Sequence, residues 1–214
     1  MNRVNTLVCF ALKEEAVPFR KIATGRPEVF TEIVGIGRQN AEKSVRSLLD
    51  SGTPEIVFTC GFAGGLNPDL KLGEVLFGIR NPESGIRNRL VAAGAKPGTF
   101  FCADRIAITI AEKEKLRAET NADAVEMESA AIQALCGERG IACVTVRVIS
   151  DPAGEDLPLD FNALAKADRS LDLGKLAWAI AKSPGKIGAL RVLQRNTRLA
   201  AERLAAVLAR VIFP

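Results

Sequence analysis

An α/β fold, one mixed twisted sheet flanked by helices with a C-terminal helical tail, is predicted by three features of the sequence. Short apolar runs alternate with helix-patterned segments; each run ends in glycine or charged residues; and 48% of the 214 residues are hydrophobic, which suits one domain with a sizeable core. Ligands of open α/β sheets bind beyond the carboxyl ends of the strands. The residues that close each apolar run are therefore the candidates for function.

Val4–Leu12 reads as a buried strand ending in Lys13-Glu14-Glu15, which sets acids at a strand's carboxyl end. Val29–Ile36 is a second strand, and Gly35-Ile36-Gly37 bends the chain into a helix over Ala41–Leu49. That Gly-x-Gly reads first as a tight strand-to-helix turn and second as a loop whose amides receive an anion or a sugar hydroxyl. Pro54–Cys60 is a third strand, followed by Gly61-Phe62-Ala63-Gly64-Gly65-Leu66, a glycine-rich loop suited to close approach. Glu74–Ile79 is a strand, the polar stretch through Arg89 a connection, and Thr99–Cys102 a further strand with Asp104 and Arg105 just past its end. Ile110–Glu119 reads as a charged, exposed helix.

Ala122–Met127 returns to the sheet and runs into Glu126-Met127-Glu128, two carboxylates around a methionine where a helix over Ser129–Glu138 begins. Acids there also complement a helix dipole, so the structural and functional readings are evenly weighted. Ala142–Ile149 is the last strand, closing with Arg147, Ser150 and Asp151 before Pro152. Residues 1–163 form the expected core and 164–214 the tail. In the tail, Leu164–Ala181 and Lys186–Ile212 read as two helices, the second with one apolar face and a basic remainder.

Composition removes whole classes of chemistry. There is no histidine, so the usual nucleophile activation and most zinc sites are excluded, and proton transfer falls to carboxylates, amines or water. No metal and no cofactor is expected. Five widely spaced cysteines in apolar runs fit reduced, buried thiols in a cytoplasmic protein. No run reaches the roughly 18 apolar residues of a spanning helix. Residues 164–214 carry 10 basic and 3 acidic residues, leaving 19 and 22 in the body. A body that is not basic, with no tyrosine, argues against nucleic acid as a partner. Several acids at strand ends fit a small-molecule pocket that stabilises a cation-like transition state, as in glycosidic bond cleavage.

The motifs Gly61–Leu66, Val125-Glu126-Met127-Glu128 and Val146-Arg147-Val148-Ile149-Ser150-Asp151 resemble those of the nucleoside phosphorylase and nucleosidase superfamily. With Glu14-Glu15 and Gly35-Ile36-Gly37 they stand in the order seen in methylthioadenosine/S-adenosylhomocysteine nucleosidases, over about residues 4 to 161. The resemblance implies a nucleoside substrate, a homodimer, and cleavage of the N-ribosyl bond of a 5′-substituted adenosine. It implies that Glu128 and Met127 hold the ribose, that Asp151 gives a proton to purine N7, and that Glu15 orients or deprotonates water. Arg147 would support the water and Glu128; Glu126, Phe62, Ala63, Gly64 and Gly37 would stand around the substrate, and Phe161 around its 5′ substituent.

Two departures bear on the chemistry. Phe62 stands where the nucleosidases carry a serine near the nucleophile, and Ile79–Thr99 is short, with no aromatic in Asp104-Arg105-Ile106 to stack on the base. The compact middle and basic tail are similar to the hopanoid-associated phosphorylases, which implies adenosylhopane as the substrate. A methylthioadenosine/S-adenosylhomocysteine nucleosidase, a futalosine hydrolase, a true phosphorylase and a non-catalytic nucleoside sensor stay open. Water is the expected nucleophile, because Thr59 and Phe62 occupy the phosphate-binding positions and only Arg20 and Arg38 stand nearby. The basic tail is read either as a helix packed on protein or as peripheral contact with an anionic membrane face.

Overall fold

A computed structural model describes residues 5–80, 84–166 and 172–213. An eight-stranded mixed sheet runs in the order β2 (Val29–Ile33), β1 (Thr6–Phe10), β3 (Ile56–Gly65), β8 (Ala142–Asp151), β4 (Val75–Arg80) and β5 (Lys96–Pro97). Strands β2, β1, β3 and β8 are parallel, and β4 runs antiparallel to β8. Two short strands, β6 (Phe100–Cys102) and β7 (Ala124–Glu126), extend the far end of β3.

Alternation along the central strands sorts the core into two layers, as period-two side chains require. Val8, Phe10, Phe58, Val144 and Val146 meet α1 (Lys13–Ile22), α3 (Ser84–Ala92) and α7 (Ile187–Ile212) through Ala16, Phe19, Leu90 and Leu204. Leu7, Cys9, Val57 and Cys143 meet α2 (Arg38–Ser51) and α5 (Ser129–Glu138) through Val45, Leu49, Ile132 and Leu135. All five cysteines are free, four of them buried.

Four expectations are corrected. The glycine stretch after Cys60 is not a loop: it continues β3, paired with β8 to Asp151 with a register shift between Ala63 and Gly64, and with β7 beyond it. The polar connection before Thr99 contains α3, whose Ile86 and Leu90 are buried. Residues 81–83 lie outside the described residues. The helix α4 (Ile110–Thr120) is not simply exposed, because Lys113 points inward with no solvent exposure. The expected helix over Leu164–Ala181 is observed only as α6 (Leu173–Lys182), residues 167–171 lying outside the described ones.

In the tail, the second half of the expected helix over Lys186–Ile212 packs on protein. Ala200, Leu204, Leu208 and Val211 of α7 are buried in the main core, and Phe213 stacks on Phe19 with ring centroids 6.1 Å apart. The last four turns are therefore integral to the fold. Among the described residues of the tail, the large apolar side chains turned outward are Trp178 of α6 and Ile187, Val192 and Leu199 of α7. No helix among the described residues is long and apolar enough to cross a membrane.

Candidate active site

A cavity of about 680 Å³ opens at the carboxyl ends of β1, β3 and β8, a volume in the range of small-molecule sites. Its wall includes Glu15, Phe62, Ala63, Gly64, Glu126, Met127, Glu128, Asp151 and Phe161, so nine of the eleven residues expected at a site converge on one space. The remaining two, Arg147 and Gly37, stand behind it.

Arg147 organises the wall. Its guanidinium, 1% exposed, bonds through Nη2 to Glu126 Oε2 at 2.5 Å and to Thr59 Oγ1 at 3.3 Å, and pairs with Glu128 Oε2 at 3.2 Å. Nη1 donates to the Cys60 carbonyl at 3.5 Å. A Cβ at Gly61, whose φ is +152°, would lie 2.7 Å from both Arg147 Nη1 and Glu15 Oε1. Glycine is needed there because a cation and a carboxylate close over the strand, and that close approach is what the glycine-rich sequence encodes.

The two acids of Glu126-Met127-Glu128 divide the readings that the sequence left balanced. Glu126 accepts the backbone N–H groups of Glu128 and Ser129 and the Ser129 hydroxyl, at 2.7–3.0 Å, and so caps α5. Burial would raise its pKa, but Arg147 and these donors hold it below the ordinary value. Its oxygens serve the protein, and its place in the cavity wall is that of a buttress. Glu128 keeps one oxygen near Arg147 and anchors the other to the Gly37 N–H at 2.8 Å. Burial pushes the Glu128 carboxyl up against the opposing pull of Arg147.

Gly35 and Gly37 both have positive φ, +82° and +85°, so the Gly-x-Gly is the turn its simpler reading described. Gly37 does not face the cavity; it positions Glu128, and Ile36 takes the place on the wall.

Glu15 enters from the start of α1, with Oε2 accepting the Leu12 N–H at 2.9 Å and Oε1 the Phe62 N–H at 2.8 Å. Only 3% of it is exposed. Burial pushes its carboxyl up to about 7, with the Phe62 N–H and Arg147 pulling the other way. Asp151, at the end of β8, accepts the Ser150 hydroxyl at 2.7 Å and pairs with Lys113 Nζ at 2.7 Å. Burial raises its pKa too, against the attraction of Lys113. Two carboxyls with raised pKa values facing one cavity are a functional signature.

Sequence reasoning missed Lys113, which read as one more charge on a surface helix, and Asn162, whose side-chain amide brackets the backbone of Ile106 at 2.9 Å on both sides. Lys113 stands between Glu112 and Glu114, a context that carries no signal; its partners Asp151, Pro152 and Glu155 appear only in three dimensions.

A fold of this topology, with clustered carboxylates at the strand ends, defines a pocket-bearing α/β protein. The profile of the phosphorylase superfamily matches residues 81–212, and the chain belongs to that family. The aminodeoxyfutalosine nucleosidase of Campylobacter jejuni is 27% identical over 159 residues, covering 59% of this chain and 69% of that protein. The 5′-methylthioadenosine/S-adenosylhomocysteine nucleosidase of Bacillus subtilis is 28% identical over 187 residues, covering 70% and 80%. Among solved structures, the futalosine hydrolase of Helicobacter pylori superposes with a TM-score of 0.71 at 18% identity, covering 98% of this chain and 97% of that one. The nucleosidase of the same organism with butyl-thio-DADMe-Immucillin-A gives 0.72 at 18% identity, covering 99% of each. At that identity the structural likeness speaks to the fold.

The Glu15 environment has a stability consequence. With its folded pKa raised from 4.5 to about 7, its contribution is fully present below the unfolded value and is lost as pH rises through about 7, by about 3 kcal/mol. Glu15→Gln removes that loss. Urea unfolding should show the variant gaining stability relative to wild type between pH 4.5 and 8; a difference that stays constant with pH would contradict the buried titration.

Proposed function

We propose that this chain hydrolyses the N-ribosyl bond of a 5′-substituted adenosine and releases adenine. The observation that carries this reading is the placement of Glu15 and Asp151, both with raised pKa, on the wall of one cavity that the anchored Glu128 also lines. The names of the relatives, nucleosidases and a futalosine hydrolase, support it.

Asp151 in its protonated form donates to purine N7, which makes the base a neutral leaving group as the bond to the anomeric carbon breaks. The departing electron pair stays with adenine. Glu128 accepts from the ribose hydroxyls, and Met127 covers the sugar. Glu15 takes a proton from water as its oxygen bonds to the cationic carbon, a role for which a pKa near 7 is suited. Because all three carboxyl groups surround the developing positive charge, they stabilise the transition state more than the ground state.

Water is favoured over phosphate by charge. Six acidic side chains line the cavity (Glu14, Glu15, Asp104, Glu126, Glu128 and the proton-bearing Asp151) against two cations, Arg105 and Lys166. Arg105 is paired with Glu112. Arg20 donates to the Thr31 carbonyl and Arg38 faces Asp104 at 3.9 Å; neither is on the wall.

Leu157, Phe161, Ala165 and Leu193 form an apolar side of the cavity, which supports an apolar 5′ group and, in its sharpest form, adenosylhopane. Leu193 belongs to the half of α7 whose outer face is apolar and basic. Between Leu173 and Ala201 there are six basic residues and no acid, and Trp178 is 62% exposed. This combination suits anionic lipid headgroups, so the proposal includes membrane contact through α6 and the start of α7.

Chromatography of adenine released from a panel of 5′-substituted adenosines should show kcat/KM rising with the apolar length of the substituent. Preference for polar 5′ groups would contradict the apolar subsite, and binding without release from any member would mark a sensor. Because the end of α7 is core, the membrane contact is tested by charge reversal, not truncation. Arg191→Glu with Arg195→Glu should abolish salt-sensitive pelleting with anionic vesicles, whereas no pelleting of wild type at low salt would sink the contact.

A further inference from the structure

The buried ammonium on α4 has no part in the reaction as described so far. Lys113 has no exposed surface, and each of its three N–H groups has an acceptor: Asp151 Oδ2 at 2.7 Å, the Pro152 carbonyl at 2.9 Å and the Glu155 carbonyl at 2.8 Å. Burying an ammonium costs several kcal/mol, which an apolar residue on the same inward stripe of α4 would avoid. The partners show where the charge acts. Two of the three are backbone groups of the segment that follows Asp151, and the third is Asp151 itself.

Further ties make α4 and that segment one unit. The Ile110 N–H donates to Asp156 Oδ1 at 2.6 Å, and the Leu157 N–H to the Ile108 carbonyl at 2.8 Å. The helix start is itself fixed by Thr109, which accepts the Glu112 N–H, while Glu112 accepts the Ile108 and Thr109 N–H groups. Ser150 holds the other oxygen of the carboxyl, Oδ1. The carboxyl plane of Asp151 is thus set from both sides.

We propose that Lys113 is a positioning residue for the proton-donating acid: it fixes the carboxyl of Asp151 toward the cavity and limits how tightly that carboxyl holds its proton. The proposal rests on the role given to Asp151 above. The groups that face this carboxyl are Lys113 from α4, with Ser150 and Glu155 from its own chain segment; Lys113 and the Ser150 hydroxyl favour the ionised form, burial and Glu155 the neutral one. Burial wins, so the acid keeps its proton above the ordinary aspartate range, and Lys113 keeps that excess bounded. An acid that held its proton too strongly would transfer it poorly to N7.

Removing the charge leaves burial and Glu155 opposed only by Ser150. In Lys113→Met the alkaline limb of the pH–kcat profile should move upward by about one to three pH units, with a larger loss in kcat than change in KM. Lys113→Gln keeps a donor for Asp151 without the charge, should fold where the methionine variant does not, and should move the limb in the same direction. Asp151→Asn separates the two claims. If it is as active as wild type, the acid role itself is wrong. If it is inactive while the Lys113 variants keep the wild-type alkaline limb, or if neither variant folds, Lys113 is a strut and the tuning role is overturned.

Discussion

One guanidinium among several carboxylates is the constraint on which this site depends. Arg147 lies fully inside the protein, with Glu126 and Glu128 in contact and Glu15 across Gly61. A single positive charge cannot balance three negative ones in a medium that screens weakly. The protein resolves this unequally. Glu126 receives the shortest contact and three further donors and stays ionised, while Glu128 and Glu15 are left with raised pKa values. The chemistry available to Glu15 near neutrality follows first from its burial, which the one shared guanidinium only partly offsets. Removing the guanidinium would leave buried carboxylates uncompensated, a loss of about 3–5 kcal/mol.

The backbone is built to allow this crowding. Gly61 lets Arg147 and Glu15 approach across β3, and Gly64 lies where a Cβ would sit 3.2 Å from Asp151 Oδ2. The long pairing of β3 with β8 carries Arg147 and Asp151 out on the same strand, four residues apart, so that one stands behind the cavity wall and the other on it. Helix starts supply the rest: α1 presents Glu15 at its third position, and α5 begins where Glu126 caps it. Strand ends and helix N-termini meet here because the parallel sheet places them on one edge.

Much of this was legible in the sequence because strand-end acids and glycines are local signals. The apolar runs located the central strands, and the acids that close them converge as the α/β pattern requires. Boundaries failed where pairing overrode composition: Gly61–Gly65 looks like a loop and is strand, since β8 and β7 supply partners for its backbone. Charge pattern failed for α4, where Lys113 has the same sequence context as its exposed neighbours and differs only in what lies beneath it. The tail left two readings open because helical periodicity reports an apolar face without saying what covers it; the sheet covers its second half, while Trp178 stays 62% exposed with Lys182 Nζ over its ring at 3.6 Å.

The central claim is that water, activated by Glu15 and kept from competition with phosphate by the acidic wall, attacks the anomeric carbon. Mass spectrometry of the sugar formed in ¹⁸O-labelled water with phosphate present addresses it most directly. The account predicts one labelled oxygen at the anomeric carbon and a rate indifferent to phosphate. A sugar 1-phosphate as product, with no label from water, would contradict it.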